Sequence, residues 1–374
     1  MKNIIYPFLF ILITGMLLSC GNDDFPVPDE STAVADFTFA SRNNGFAPDT
    51  LDFTNTSTVV EGSGQVAYTW NFGDGSSSSE KDPMHIYETP GTYEVNLVVK
   101  TDNDLSVKTR SILVKDPDAL PVRLFYIDDQ DNIIGEVDGP SFDIPGWGYG
   151  IEYHSSEEKI YYAVAETGEL YRVNLDGSEN ELIVDGFGDG GARDIALDEE
   201  NGTVYVTDRN TQGVWEVDIA NKTKSLLYTV ADDGLGELPV AIDFYDGSLY
   251  ITCVEIDAES VWVGPVDGSG VTRIIDYSAG GYGYGLAVDQ ENEKIYFDDT
   301  DSGNILMANL DGTGIETFAS TSGRVYGIAV DNTNGKVYWS DDGTGNIRMA
   351  NLDGSSIVDL AVGLAGPKGI FYIE

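Results

Sequence analysis

A three-part motif that recurs along the last two-thirds of the chain limits its fold more than any other feature. At residues 325–354 it reads VYGIAVDNTNGKVYWSDDGTGNIRMANLDG. GIAVD is a short β run, VYWSDD is a second run ending in acid, and IRMANLDG is a third closed by Asp-Gly, with turns between them. The second run recurs as LFYIDD (124–129), IYYAVA (160–165), VYVTDR (204–209), LYITCV (249–254) and IYFDDT (295–300). Its aligned aromatics are Phe125, Tyr161, Tyr205, Tyr250, Tyr296 and Tyr338, spaced 36, 44, 45, 46 and 42 residues apart. First runs begin at Gly150, Asp194, Ala241, Gly285, Gly327 and Gly369. A period of about 40–45 residues with about four short strands per unit predicts an all-β propeller, here with six blades. No single repeat buries both faces of its sheet, so each must pack on its neighbours.

The order of the runs predicts how the circle closes. The chain enters on a second-run strand at 122–128 and leaves on a first-run strand at 367–373. One blade is therefore expected from both ends, with 368–373 as its innermost strand paired to 123–127, which removes the exposed sheet edges. These motifs resemble the YWTD repeat of the LDL-receptor-type six-bladed propellers; VYWSDD with IRMANLDG and IYFDDT with ILMANLDG match best. The resemblance covers residues 122–374. Blades two and four lack the motif acid, having Val164 and Ala165, and Cys253 and Val254, so a per-blade role for it does not extend to them. Propellers host both binders and enzymes, so the fold alone assigns no activity.

Upstream, residues 35–115 alternate apolar and polar residues in short runs, as a β-sandwich of about seven strands would. WNFGDG (70–75), HIY (85–87) and PGTYEVNLVV (90–99) closely resemble the PKD domain, an Ig-like sandwich that serves as a spacer or accessory module. Trp70, Tyr93, Val95 and Leu97 are expected in its core. Asp74 is expected to bond nearby backbone N–H groups in a tight turn rather than to hold Ca²⁺ or sugar. Residues 116–121, with two prolines, form a linker.

Residues 1–19 read as a targeting segment: Lys2 precedes an apolar stretch too short for a comfortable membrane span. Leu17-Leu18-Ser19-Cys20 resembles a bacterial lipobox, which implies lipidation of Cys20 and anchoring at the outer membrane, surface-exposed or facing the periplasm. An ordinary secretory signal or a membrane anchor is the alternative. The acids after Cys20 resemble the surface-export signal of Bacteroidetes lipoproteins, and residues 20–34 read as a tether. Cys253 is expected as a buried apolar residue at a strand end. The net charge of −44 excludes the basic face that nucleic acid requires and electrostatic docking to anionic lipid. It is the charge of a soluble exterior, or of several Ca²⁺ sites.

Catalytic patterns are sparse. The chain has two histidines, His85 in the PKD motif and His154 after a propeller strand, where a surface or hairpin position is expected. The glycine run at 280–285 leads into a strand and offers no helix N-terminus for phosphate. Aligning the residues before each innermost strand is more informative. Tyr149, Arg193, Val240, Tyr284, Tyr326 and Lys368 share one position, and two residues earlier come Trp147, Gly191, Leu238, Tyr282, Arg324 and Gly366. In a propeller these converge on one mouth of the central channel. Trp147, Tyr149, Arg193, Tyr282, Tyr284, Arg324, Tyr326 and Lys368 are therefore candidates for binding a protein or a sugar-like or acidic ligand, the alternative being that they pack the inner channel. The strand-end acids Asp128, Asp129, Asp208, Asp298, Asp299, Asp341 and Asp342 are expected to cap their own turns, or to build a cation site. The expectation is a monomeric, lipid-anchored binding protein without cofactor. The alternative is a Ca-dependent enzyme similar to the gluconolactonase-like hydrolases or to propeller lyases, for which Glu152, Asp194 and Asp243 are the available channel acids.

Overall fold

The computed structural model describes residues 33–43, 45–116, 123–255, 258–277 and 284–373. The targeting segment, Cys20, the tether up to residue 32, Tyr282 and most of the linker lie outside the described residues.

The N-terminal unit is a sandwich. Phe37–Ser41, Asp49–Asn55 and Met84–Tyr87 form one sheet; Ser77–Ser78, Ala67–Asn71, Gly91–Lys100 and Leu105–Val114 form the other. Ala33–Val34 and Thr58–Val59 add a two-stranded ribbon. Period-two alternation sends Val95, Leu97 and Val99 inward around Trp70, whose ring lies 5.0 Å from Phe37 and 5.3 Å from Phe53. Tyr93 is only partly buried, at the margin of this core, because its hydroxyl turns outward to donate to the Thr89 carbonyl at 2.8 Å. Asp74 accepts the Ser76 N–H at 2.9 Å and contacts His85 Nε2 at 2.7 Å, so it secures the turn.

The second unit is six four-stranded antiparallel sheets. The innermost strands of blades two to six are Gly148–His154, Ala192–Asp198, Pro239–Tyr245, Leu286–Asp289 and Val325–Asp331. Blade one takes its innermost strand, Pro367–Ile373, from the chain's end and pairs it with Arg123–Asp128, Phe371 standing opposite Phe125. The second strands are buried nearly throughout, as in Thr203–Asp208, which explains their unbroken apolar, β-branched and aromatic composition. Each of six apolar cores draws on two consecutive blades, and the last joins Tyr338 and Ile347 of blade six to Leu124, Tyr126 and Ile370 of blade one. The seams therefore run around a closed circle.

Turn chemistry repeats with the blades. Asp198, Asp289 and Asp331 each accept the backbone N–H of the asparagine three residues on, Asn201, Asn292 and Asn334, and bind its side-chain amide with the second oxygen. In blade two His154 takes that place. It is buried at 4% exposure rather than on the surface, because its ring lies against Tyr161 and Glu199 of the next blade comes to 3.5 Å. The one helix among the described residues is the single turn Val230–Asp233, capped by Thr229.

Neighbouring innermost strands touch backbone to backbone at glycine. A Cβ on Gly369 would stand 2.2 Å from the Tyr149 carbonyl oxygen, and one on Gly327 2.6 Å from the Ile370 nitrogen. Gly369→Ala is therefore expected to force blades one and two apart at the axis. Overpacking of this kind costs about 1–3 kcal/mol, and a melting temperature unchanged from the parent would disprove the close approach. The sandwich meets the propeller through polar contacts, Thr92 with Asp359 and Lys115 with Asp138.

Candidate ligand-binding site at the channel mouth

The start of each innermost strand lies at one end of the channel, so side chains far apart in sequence converge there. Tyr149, Tyr284 and Tyr326 form an arc, with ring centroids 5.4 Å (149 to 326) and 4.7 Å (284 to 326) apart. A cation lies over each ring: Arg193 over Tyr149 at 4.6 Å, Arg324 over Tyr284 at 5.4 Å and Lys368 over Tyr326 at 4.2 Å. Burial pushes the Tyr284 and Tyr326 phenols up, so both are O–H donors at neutral pH. Tyr149, Arg193, Tyr284, Arg324 and Tyr326 line a cavity of about 180 Å³ together with Asp194, Val240 and Arg209.

Two of the expected residues take other positions. Trp147 stands behind the mouth, its ring edge-on to Tyr149 and 6.0 Å from the Arg193 guanidinium. Lys368 is 4% exposed and does not line the cavity. Its ammonium is held by Asp342 at 2.6 Å and Asp129 at 3.5 Å, so its charge is spent inside the protein.

Arg209 was not found by aligning innermost strands, because it follows a second strand. Its signal is a change of sign: VYVTDR has arginine where LFYIDD and VYWSDD have Asp129 and Asp342, and where IYFDDT has Thr300. The preceding acids act as caps. Asp208 accepts the N–H groups of Asn210 and Thr211, and Asp341 that of Thr344. Asp128 binds the N–H groups of Gln130 and Asp131 with one oxygen and those of Ala365 and Gly366 with the other. Asp299 caps Ser302, and Asp298 accepts from the Thr300 hydroxyl. Asp129 and Asp342 depart from the expectation of turn capping, since Lys368 draws both.

Beneath the mouth the channel carries Glu152, Asp194 and Asp243. Asp194 accepts the Ile242 N–H at 3.1 Å, and Asp243 accepts those of Val288 and Phe244, both at 2.7 Å. Two of the three acids thus staple one innermost strand to the next. All lie deep in the molecule while keeping part of their surface against the channel. Burial pushes Asp194 up to about 7 and Asp243 up to about 6, and raises Glu152 well above the carboxylate range with help from the other two. A calcium site needs several ionised oxygens turned to one point. Here Asp243 has both oxygens on backbone donors and Asp194 has one, and among the described residues no three His, Cys, Asp or Glu form a metal-holding group. These acids do not fit that ion.

Residues 35–115 match the PKD domain family. A collagenase of Bacillus cereus, ColQ1, is 38% identical over 74 residues, which are 20% of this chain and 8% of the collagenase. The chain thus spans under a tenth of that relative. Among solved structures, the nidogen/laminin complex aligns at a TM-score of 0.59 with 15% identity, covering 67% of this chain and 98% of the matched one. A gluconolactonase of Xanthomonas campestris aligns at 0.50 with 17% identity, covering 66% and 82%. At these identities the likeness concerns fold alone. The chain is a PKD domain followed by a six-bladed propeller.

Proposed function

We propose that this protein is a non-catalytic binding protein of the bacterial cell envelope, anchored by lipid on Cys20. Its PKD domain acts as a spacer, and its propeller captures a protein or carbohydrate ligand at the tyrosine–arginine mouth. One observation carries this reading. In a chain with 64 acidic and 20 basic residues, a guanidinium drawn into a partly buried concave opening has many carboxylates it could have been paired with. Yet among the described residues neither Arg193 nor Arg209 makes an ion pair, and the Arg193 Nε is buried without a hydrogen-bond partner. Unpaired guanidinium groups beside phenols at a concave opening are what a recognition site needs. Nidogen/laminin is a protein–protein complex built on a similar propeller, a loose analogy in favour of binding.

The test is a glycan and envelope-protein binding screen with the full-length chain in detergent, comparing parent with the Arg193→Ala, Arg324→Ala double variant. Capture should be lost in the variant while its melting curve is kept. Undiminished capture would reject the mouth as the site. Calcium-dependent turnover of a lactone by the parent would favour the enzyme alternative.

A further inference from the structure

The mouth also limits what its ligand can be, an inference that rests on the binding role proposed above. We infer that it takes a single carboxylate group carried by a small ligand that also bears hydrogen-bond donors, a sugar acid or an amino acid in size and chemistry. Three arginines, 193, 209 and 324, converge on the cavity, and a guanidinium matches a carboxylate through paired N–H donors. Asp194 lines the same cavity from the channel side, with one oxygen bonded to the Ile242 N–H. Its carboxyl group is an acceptor with capacity left over, placed to receive a ligand hydroxyl or ammonium. The site is thus dipolar, with donors at the rim and an acceptor at the floor.

Size and field narrow the choice. A cavity of about 180 Å³ has room for roughly six water molecules, about one small ring or one amino acid rather than an extended chain. A polyanion would have to approach a surface of net charge −44. Inorganic phosphate as the dianion brings a second negative charge to that approach and offers Asp194 only a single P–OH. A small monoanion with donors avoids both penalties.

The experiment titrates the full-length protein with matched pairs, followed by saturation-transfer NMR and aromatic fluorescence. D-glucuronate is set against D-glucose, and L-alanine against L-alaninamide, with inorganic phosphate as the dianion. The glucuronate and alanine arms separate a sugar acid from an amino acid. The expected result is binding by at least one carboxylate, none by its neutralised partner, and a loss of about tenfold or more in Arg193→Met and in Arg209→Met. Methionine keeps the packed stem over Tyr149, and melting curves verify that both variants fold. Added salt should weaken binding. Equal response to glucose and glucuronate, phosphate binding tighter than either carboxylate, unchanged affinity in both variants, or no response to any carboxylate would each overturn the inference. If the screen's ligand is lost in the Arg193→Ala, Arg324→Ala variant while no carboxylate binds, the mouth stands as a site and only its carboxylate chemistry falls.

Discussion

Truncation after Gly366 is expected to abolish the cooperative melting of the propeller. The deletion removes Pro367–Ile373, the innermost strand of blade one, and leaves Arg123–Asp128 as an open inner edge. Phe371 and Ile370, each 5% exposed, lose their places. Phe371 stacks between Phe125 at 5.0 Å and Tyr153 at 5.7 Å, so one ring links blade one's second strand to blade two's innermost strand. Ile370 belongs to the core shared with blade six. Burying one such side chain contributes about 1.5–3 kcal/mol. Here two go together with a strand's hydrogen bonds and the Lys368 ion pairs, a sum comparable to the roughly 5–15 kcal/mol that holds a domain folded. Loss at a single seam also opens the circle, and each remaining blade then rests on fewer neighbours. Calorimetry should show the large propeller transition in the parent and only a small one in the truncated protein, from the sandwich with its separate core. A truncated chain that melts as the parent does would mean that the closure is ornamental.

That closure was legible because the motifs come in a fixed order and the chain starts and stops out of phase with them. The blades were legible because their second strands are buried on both faces, which leaves a run such as IYYAVA or VYVTD with no freedom to vary in polarity. The mouth was partly legible for the same reason: residues at one offset from an innermost strand must meet at the axis. Lys368 has the right offset for a ligand contact. What decides its role is the pair Asp129 and Asp342, which arrive from two other blades. Arg209 follows a second strand, so an offset counted from the innermost strands does not reach it. The burial of His154 depends on Glu199 of the next blade, and the stapling by Asp194 and Asp243 depends on which N–H groups face them across a seam. Periodicity places residues along a strand, but partners across blades are a property of the closed assembly.

Replacing Asp194 with asparagine should stabilise the protein at pH 8 and leave it unchanged at pH 4. Asp194 has an ordinary value of 3.8 in an unfolded chain and is pushed up to about 7 in the folded one, chiefly by burial. The folded state therefore holds a proton that the unfolded state has released between these values. Below about pH 4 both states are protonated and the group exerts no pull. As pH rises through that window stability falls, and above about pH 7 the full cost of a buried charge is present. A shift near three units corresponds to about 4 kcal/mol as an upper figure. Asparagine keeps an oxygen for the Ile242 N–H but leaves an amide to be satisfied, so a gain of about 2 kcal/mol is the reasonable expectation. For a domain of this size that is a rise of roughly 4–8 °C in melting temperature. The difference between variant and parent cancels the general repulsion of an acidic surface and isolates this site. Asp243→Asn should act in the same direction with a smaller window, since Asp243 lies at about 6. A variant that melts lower than the parent at pH 8, or equally displaced at both pH values, would show that the channel carboxylates are fully ionised in the folded protein. Asp194 would then face the arginines as a permanent negative charge, and the mouth would be paired from within rather than held open for a ligand.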